Sequence, residues 1–345
     1  MSLFTKYFQQ RGWISILHQI EIKGYKSIRE LQLELAPLTV LIGANGAGKS
    51  NLISFLQLIQ MLTKRNLQQI VANCNGASHL LYFGNQKTSV LSSNLQFTQE
   101  SGKIEYDFDL TCGLSDQLVF AKERISLNSG VHSLGTGHTE TKLDSFSHEQ
   151  IHPFLEYVNS WEFYRFHHAP DLSIVSKLHS IYLNEPSHYK RILHTLQQML
   201  PFFDDFVWSD PSVFYWREKG SDMVFNTSHL SDGMVRMITL VTILLQPNPP
   251  ALLCIDEPEL GLHPYAINVL ACIIKSLATE TQLIISTQSI TLLNHLEVED
   301  VVVVDRKNGQ STFQRLQHQS LAKWLEDYTL GELWEKNIIG GRPSL

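Results

Sequence analysis

Gly43-Ala44-Asn45-Gly46-Ala47-Gly48-Lys49-Ser50 has the form G-x-x-x-x-G-K-S and follows the apolar run Leu38-Thr39-Val40-Leu41-Ile42. A glycine-rich turn of this kind presents successive backbone N–H groups, and a helix N-terminus behind it adds its dipole. Together they make a concave anion site. In this pattern the lysine, Lys49, reaches β- and γ-phosphates, and the Ser50 hydroxyl binds Mg²⁺. The surroundings agree. A strand precedes the loop, and Leu52, Ile53, Leu56, Ile59 and Leu62 follow it at helical spacing.

Far downstream, Ala251-Leu252-Leu253-Cys254-Ile255-Asp256-Glu257 is an apolar run that ends in two acids and is bounded by Pro249-Pro250 and Pro258. It reads as a strand buried on both faces. Asp256, at its end, is suited to a Mg²⁺ ion that bridges phosphates, and Glu257 to accepting a proton from an attacking water. Taken alone, the pair is equally a solvated strand end. The phosphate loop upstream favours the active reading. A third segment, Leu230-Ser231-Asp232-Gly233-Met234, opens another helical pattern (Met237, Ile238, Val241, Leu244, Leu245). Ser231 suits an N-cap, and the N–H groups around Gly233 make a second anion site. Two such helix ends imply either two nucleotides per chain or one end that completes a site on another copy.

In order and spacing these segments resemble the head of an ABC-type ATPase: Walker A at 43–50, an LSGGQ-like signature at 230–234, Walker B ending at Asp256, and a switch strand in Ile284-Ile285-Ser286-Thr287-Gln288-Ser289. Gly233 lies 23 residues before Asp256, and Gln288 lies 31 after Glu257. The details resemble the RecF, SMC and OLD branch rather than transporters. They are Ile20-Glu21-Ile22-Lys23-Gly24-Tyr25-Lys26-Ser27-Ile28, the Asn in the phosphate loop, and Asp256-Glu257-Pro258-Glu259-Leu260-Gly261-Leu262-His263-Pro264. Leu325 to Trp334 and Gly340-Gly341-Arg342-Pro343 are similar to a group of small predicted bacterial ATPases in that branch.

The resemblance implies an α/β fold, a P-loop ABC-ATPase head whose mixed sheet core carries an inserted helical lobe. It divides the chain into 14–112 (first lobe with Walker A), 113–235 (second lobe and signature) and 236–345 (the first lobe continued, with Walker B, the switch strand and a C-terminal hairpin). ATP and Mg²⁺ are the implied cofactors. Gly43, Asn45, Gly46, Gly48, Lys49, Ser50 and Asn51 would cradle ATP, and Ser50 and Asp256 would hold the metal. Glu257 would be the catalytic base, with Gln288 at the switch. Ser231 and Gly233 would reach the γ-phosphate of a second copy in a head-to-tail homodimer held by ATP, with residues 259–263 as the D-loop at the seam. Lys26 matches a basic residue near the phosphates in some relatives, and a solvated lysine fits it as well. A lobe-linking glutamine is implied, with Gln86 as its candidate. One departure stands out: relatives carry histidine where this chain has Gln288. An amide donates a hydrogen bond but takes no proton charge, so ATP binding is expected to survive and hydrolysis to be slow. The setting implied is DNA maintenance or anti-phage defence, with DNA as a candidate partner. A separate effector protein such as a nuclease would act in trans, because fewer than 40 residues follow the second hairpin strand. The alternative is a non-hydrolysing ATP-dependent sensor or scaffold.

Composition sets the remaining bounds. The 345 residues are 43% hydrophobic and 18% charged, enough for a large core. A net charge of −7 gives no bulk attraction to nucleic acid or membrane. No apolar stretch suggests a membrane span, and residues 1–13 do not resemble a signal peptide, so the chain is expected in the cytoplasm. The cysteines lie far apart, and Cys254 and Cys272 sit in apolar runs as expected of buried thiols. Residues 128–150 read as a mobile loop and 151–205 as mainly helical. Phe163 to His168 reads as core aromatics more readily than as a nucleic-acid surface. Histidines 132, 138, 148, 152, 167 and 168 match no common metal spacing. Residues 212–227 read as a hairpin, and Asn308-Gly309 as a hairpin turn. No heptads indicate a coiled-coil arm.

Overall fold

A computed structural model describes residues 15–99, 102–166, 173–208, 215–226 and 229–342. The chain opens with β1 (Ser15–Tyr25) and β2 (Ile28–Glu34), an antiparallel pair, and enters β3 (Leu38–Ile42). The phosphate loop leads into α1 (Lys49–Thr63), and α2 (Leu67–Asn73) follows. β4 (Val90–Gln99), β5 (Gly102–Cys112), β6 (Leu118–Leu127) and β7 (Gly130–Gly135) complete an antiparallel sheet of order β2-β1-β4-β5-β6-β7. Burial along β4 alternates residue by residue, as it must where only one face meets the core.

α3 (Ile151–Asn159) leads to β8 (Glu162–Arg165). Next come α4 (Ser173–Asn184), α5 (Pro186–Met199) and a small antiparallel sheet of β9 (Phe203–Phe206), β10 (Tyr215–Glu218) and β11 (Val224–Asn226). α6 (Asp232–Leu244), β12 (Leu252–Asp256), α7 (Pro264–Leu277), β13 (Gln282–Thr287) and α8 (Ile290–Leu293) follow. β14 (Val301–Lys307), β15 (Gln310–Arg315), α9 (His318–Leu325) and α10 (Leu330–Glu335) close the described chain.

The central sheet has the order β15-β14-β3-β13-β12-β8 and is parallel except for β15. β3, β12 and β13 are buried at every position, which explains the apolar runs Val40 to Ile42, Leu252 to Ile255 and Leu283 to Ile285. Successive side chains of β3 serve opposite cores. Leu41 packs with α1, α3 and the antiparallel sheet, whereas Val40 and Ile42 pack with α4 to α7. The two large sheets are pinned by a buried polar clamp. The Tyr157 hydroxyl accepts from Leu17 N at 2.9 Å and donates to Gln282 Oε1 at 3.2 Å, and Gln282 Nε2 donates to Leu17 O at 2.8 Å. Every polar atom in this clamp that is taken from water has a partner, as burial requires.

Several expectations change. The boundary at 112/113 falls inside a sheet, because β5 pairs with β6 across it. Residues 130–135 are not loop: β7 pairs with β6 despite its glycines. Residues 162–165, expected within a helical stretch, pair in parallel with β12, a long-range contact that suits the strand-favouring Phe163 and Tyr164. Cys254 is buried as expected, but Cys272 is exposed on α7. The expected hairpins appear as β10 with β11 and β14 with β15. His167 and His168 lie outside the described residues.

Candidate functional site

The parallel strands deliver their carboxyl ends to one edge, the side on which ligands of open α/β sheets bind. β3 runs straight into the phosphate loop. Gly43 has φ 153°, and a Cβ there would lie 2.2 Å from Val304 O. The loop is therefore pressed against β14 and admits no side chain at that position. At Gly48 a Cβ would meet Ser311 Oγ at 2.0 Å. That serine braces the loop from behind. Its hydroxyl donates to Ala47 O at 2.5 Å and lies 2.6 Å from Ser27 Oγ. Gly341 closes the back, with its Cβ direction 3.4 Å from Gly43 Cα.

The loop fits a phosphate. Among the described residues the N–H groups of Gly46, Gly48, Lys49 and Ser50 find no acceptor. A Cβ on Gly46 would meet nothing within 4 Å, so the space in front of it is open. Lys49 is buried, and its ammonium donates to Gly43 O at 2.6 Å and Ala44 O at 3.2 Å. Burial pulls its pKa below the usual lysine range, opposed by the carboxylates of Glu257, Asp256 and Glu259. Ser50 is exposed on the first turn of α1. Asn51 departs from the expected set, because its side-chain amide donates to Ser27 Oγ at 2.6 Å and holds the scaffold. Lys26 is half-buried, donates to Ser54 Oγ at 3.0 Å and lies over the Tyr25 ring. Gln86 is exposed.

At the end of β12, Asp256 is buried and accepts a short hydrogen bond from Ser286 Oγ. The next residue turns sharply. Glu257 has φ 53°, left-handed backbone that a non-glycine residue occupies only under constraint. Its N–H donates to Ser286 O at 3.0 Å. The turn sends the Glu257 carboxylate to the switch strand, where Gln288 Nε2 donates to its Oε1. The same amide nitrogen donates to Asn45 Oδ1 at 2.8 Å. Gln288 thus bridges the phosphate loop and the acid. Glu259, expected to open the D-loop at a dimer seam, is turned inward on its own chain. Its Oε1 accepts from Thr287 Oγ1 at 2.6 Å and Gln288 N at 3.0 Å. Burial raises its pKa, an effect that those hydrogen bonds oppose.

Ser231 caps α6 by accepting from Met234 N at 3.3 Å. Gly233 packs against the loop after β12, with Gly261 O 3.5 Å from its Cβ direction. Among the described residues no hydrogen bond joins Ser231 or Gly233 to residues 43–51. The structure therefore joins Asn45, Gln288 and Glu257, and leaves the exposed Ser231 outside that set.

Two families match the chain. Residues 16–152 match one described as "AAA ATPase domain", and residues 131–294 match one described as "AAA domain, putative AbiEii toxin, Type IV TA system". An SMC head solved bound to the C-winged helix domain of ScpA overlays with a TM-score of 0.64 at 13% identity, covering 89% of this chain and 99% of that one. An SMC head from Pyrococcus furiosus, with an extended coiled coil and bound to the C-terminal domain of ScpA, gives 0.61 at 13% identity over 91% and 99%. The SMC head domain of Thermotoga maritima gives 0.52 at 16% identity over 87% and 99%. These overlays establish the fold. No curated protein sequence matches the chain. Among the described residues no helix is long and apolar enough to cross a membrane.

Proposed function

We propose that the chain, whose segments match two AAA ATPase families and whose fold is that of SMC heads, binds ATP, hydrolyses it at a site shared by two copies and acts as a nucleotide-gated switch. The observation that carries this reading is the bridge Asn45–Gln288–Glu257, which sets an acid with constrained backbone beside the phosphate loop. Gly43, Gly46, Gly48, Lys49 and Ser50 bind the phosphates, and Lys49 exchanges its loop carbonyls for phosphate oxygens. Ser50 and Asp256 would hold Mg²⁺, which would supply charge stabilisation at the phosphates. Glu257 takes the proton of the attacking water, and Gln288 orients that water. Ser231 and Gly233 complete the site from a second copy, so binding closes the dimer and hydrolysis opens it.

The trans arrangement has its own test. Ser231→Arg is expected to block hydrolysis while ATP binding to the monomer stays within about threefold of wild type. The new cation fills the anion site offered to the partner. Mixing it with Lys49→Ala leaves one composite site intact, so partial recovery of turnover is expected. Loss of ATP binding by Ser231→Arg alone would place Ser231 in its own chain's pocket and refute the shared site.

The setting we propose is DNA maintenance or anti-phage defence in the cytoplasm, with an effector on another chain. It is supported by the family description that names a toxin and a Type IV TA system, and by the SMC heads seen with ScpA domains. A steady-state ATPase assay on the pure protein, with and without DNA, tests the activity. No phosphate release in either condition would leave the second reading, an ATP-held scaffold. One observation favours that reading: an uncharged amide stands at the switch and occupies the Glu257 carboxylate. Gln288→His is therefore expected to raise turnover several-fold at saturating ATP near pH 7.5, because an imidazole can carry charge as it develops. Unchanged or lower turnover with binding and dimerisation intact would show that Gln288 does not limit hydrolysis.

A further inference from the structure

Arg165 has no task in the scheme above. It is the last residue of β8, and the parallel register places it opposite Asp256. It is delivered to the same carboxyl edge as the phosphate loop, Gln288 and Glu257, outside which ligands of such sheets bind. Its Nε lies 4.0 Å from Asp256 Oδ2, too far for a hydrogen bond, and 39% of its side chain is open to solvent. Asp256 already has a hydroxyl partner in Ser286. The guanidinium is therefore held loosely by a carboxylate that does not depend on it. Arg165 thus stands beside Asp256, one of the proposed metal ligands, at the edge where the phosphate loop begins.

We propose that Arg165 binds the terminal phosphate of a nucleoside triphosphate in its own chain's site, an assignment that rests on reading this edge as an ATP site. A guanidinium fork matches two phosphate oxygens at once, which a lysine cannot do. Without nucleotide, Asp256 holds the fork at the edge. When that carboxylate serves a metal ion, Arg165 is free to turn to the phosphate. Arg165 then distinguishes ATP from ADP, because the α- and β-phosphates are held by the loop and only the γ-phosphate lies within its task.

The test is equilibrium binding of fluorescent ATP and ADP analogues, with Mg²⁺, to the full chain. Arg165→Ala is expected to weaken ATP about tenfold or more and leave ADP within about twofold, with Arg165→Lys in between. Should the alanine variant melt early, Arg165→Gln keeps length and polarity and is read by the same ratio. An unchanged ATP-to-ADP ratio, or equal loss of both ligands, overturns the assignment. Failure of the underlying reading looks different: wild type then binds neither nucleotide, or Lys49→Ala binds ATP as well as wild type does, and the proposal falls with it.

Discussion

Lys49→Ala is expected to abolish tight ATP binding. The ammonium is buried, and it is held by the two carbonyls that phosphate oxygens would replace. Truncating one member of a buried charged contact costs about 2–5 kcal/mol, which is roughly a 30-fold to several-thousand-fold loss of affinity. Three acids face the lysine across the site. Without its charge they meet the triphosphate with less opposition, which pushes the effect toward the larger figure. Titration with a fluorescent ATP analogue reads it directly. Affinity within about threefold of wild type, about 0.7 kcal/mol, would end the nucleotide-site reading.

Glu257→Gln should leave binding intact, slow hydrolysis about 100-fold or more, and trap an ATP-bound dimer. The amide keeps the shape but takes no proton, and general-base catalysis is typically worth about 10²–10⁴ in rate. The left-handed backbone at position 257 makes this a sharp test, because glutamine is no better suited to that conformation than glutamate and strain is left unchanged. Light scattering with ATP and Mg²⁺ should show a heavier species than without them. Turnover at the wild-type rate would remove Glu257 from the role of base.

The elements at the sheet edge were legible where local chemistry dictates them. The phosphate loop has a fixed spacing because its turn needs glycines and its helix needs a start. The β12 run announces itself because a strand covered on both faces favours apolar residues, here Leu252 to Ile255, up to Asp256 at its end. Ser231 and Asn308-Gly309 are visible for the same reason, as a cap and a turn. What was hidden depends on pairing between distant segments. Glu162 to Arg165 is too short to announce a strand despite Phe163 and Tyr164, and only register with β12 brings Arg165 beside Asp256. Glu259 reads as the start of a D-loop, and its hydrogen bonds from Thr287 and Gln288 are visible only once distant segments are brought together. Asn51 carried the opposite lesson. Its place after Ser50 suggested a ligand contact, but its side chain serves Ser27, a residue of the first hairpin.

The braces behind the phosphate loop also set an order in time. Gly43 is pressed on Val304 and Gly341, and Ala47 is held by Ser311, so the loop near the start of the chain rests on segments synthesised much later. About 300 residues separate Gly43 from Gly341. At about 5–20 residues per second a ribosome needs roughly 15–60 s to cover that distance. During that interval the nascent loop lacks its floor. The growing polypeptide thus completes the support of this loop only after Gly341 has been made, long after the loop itself.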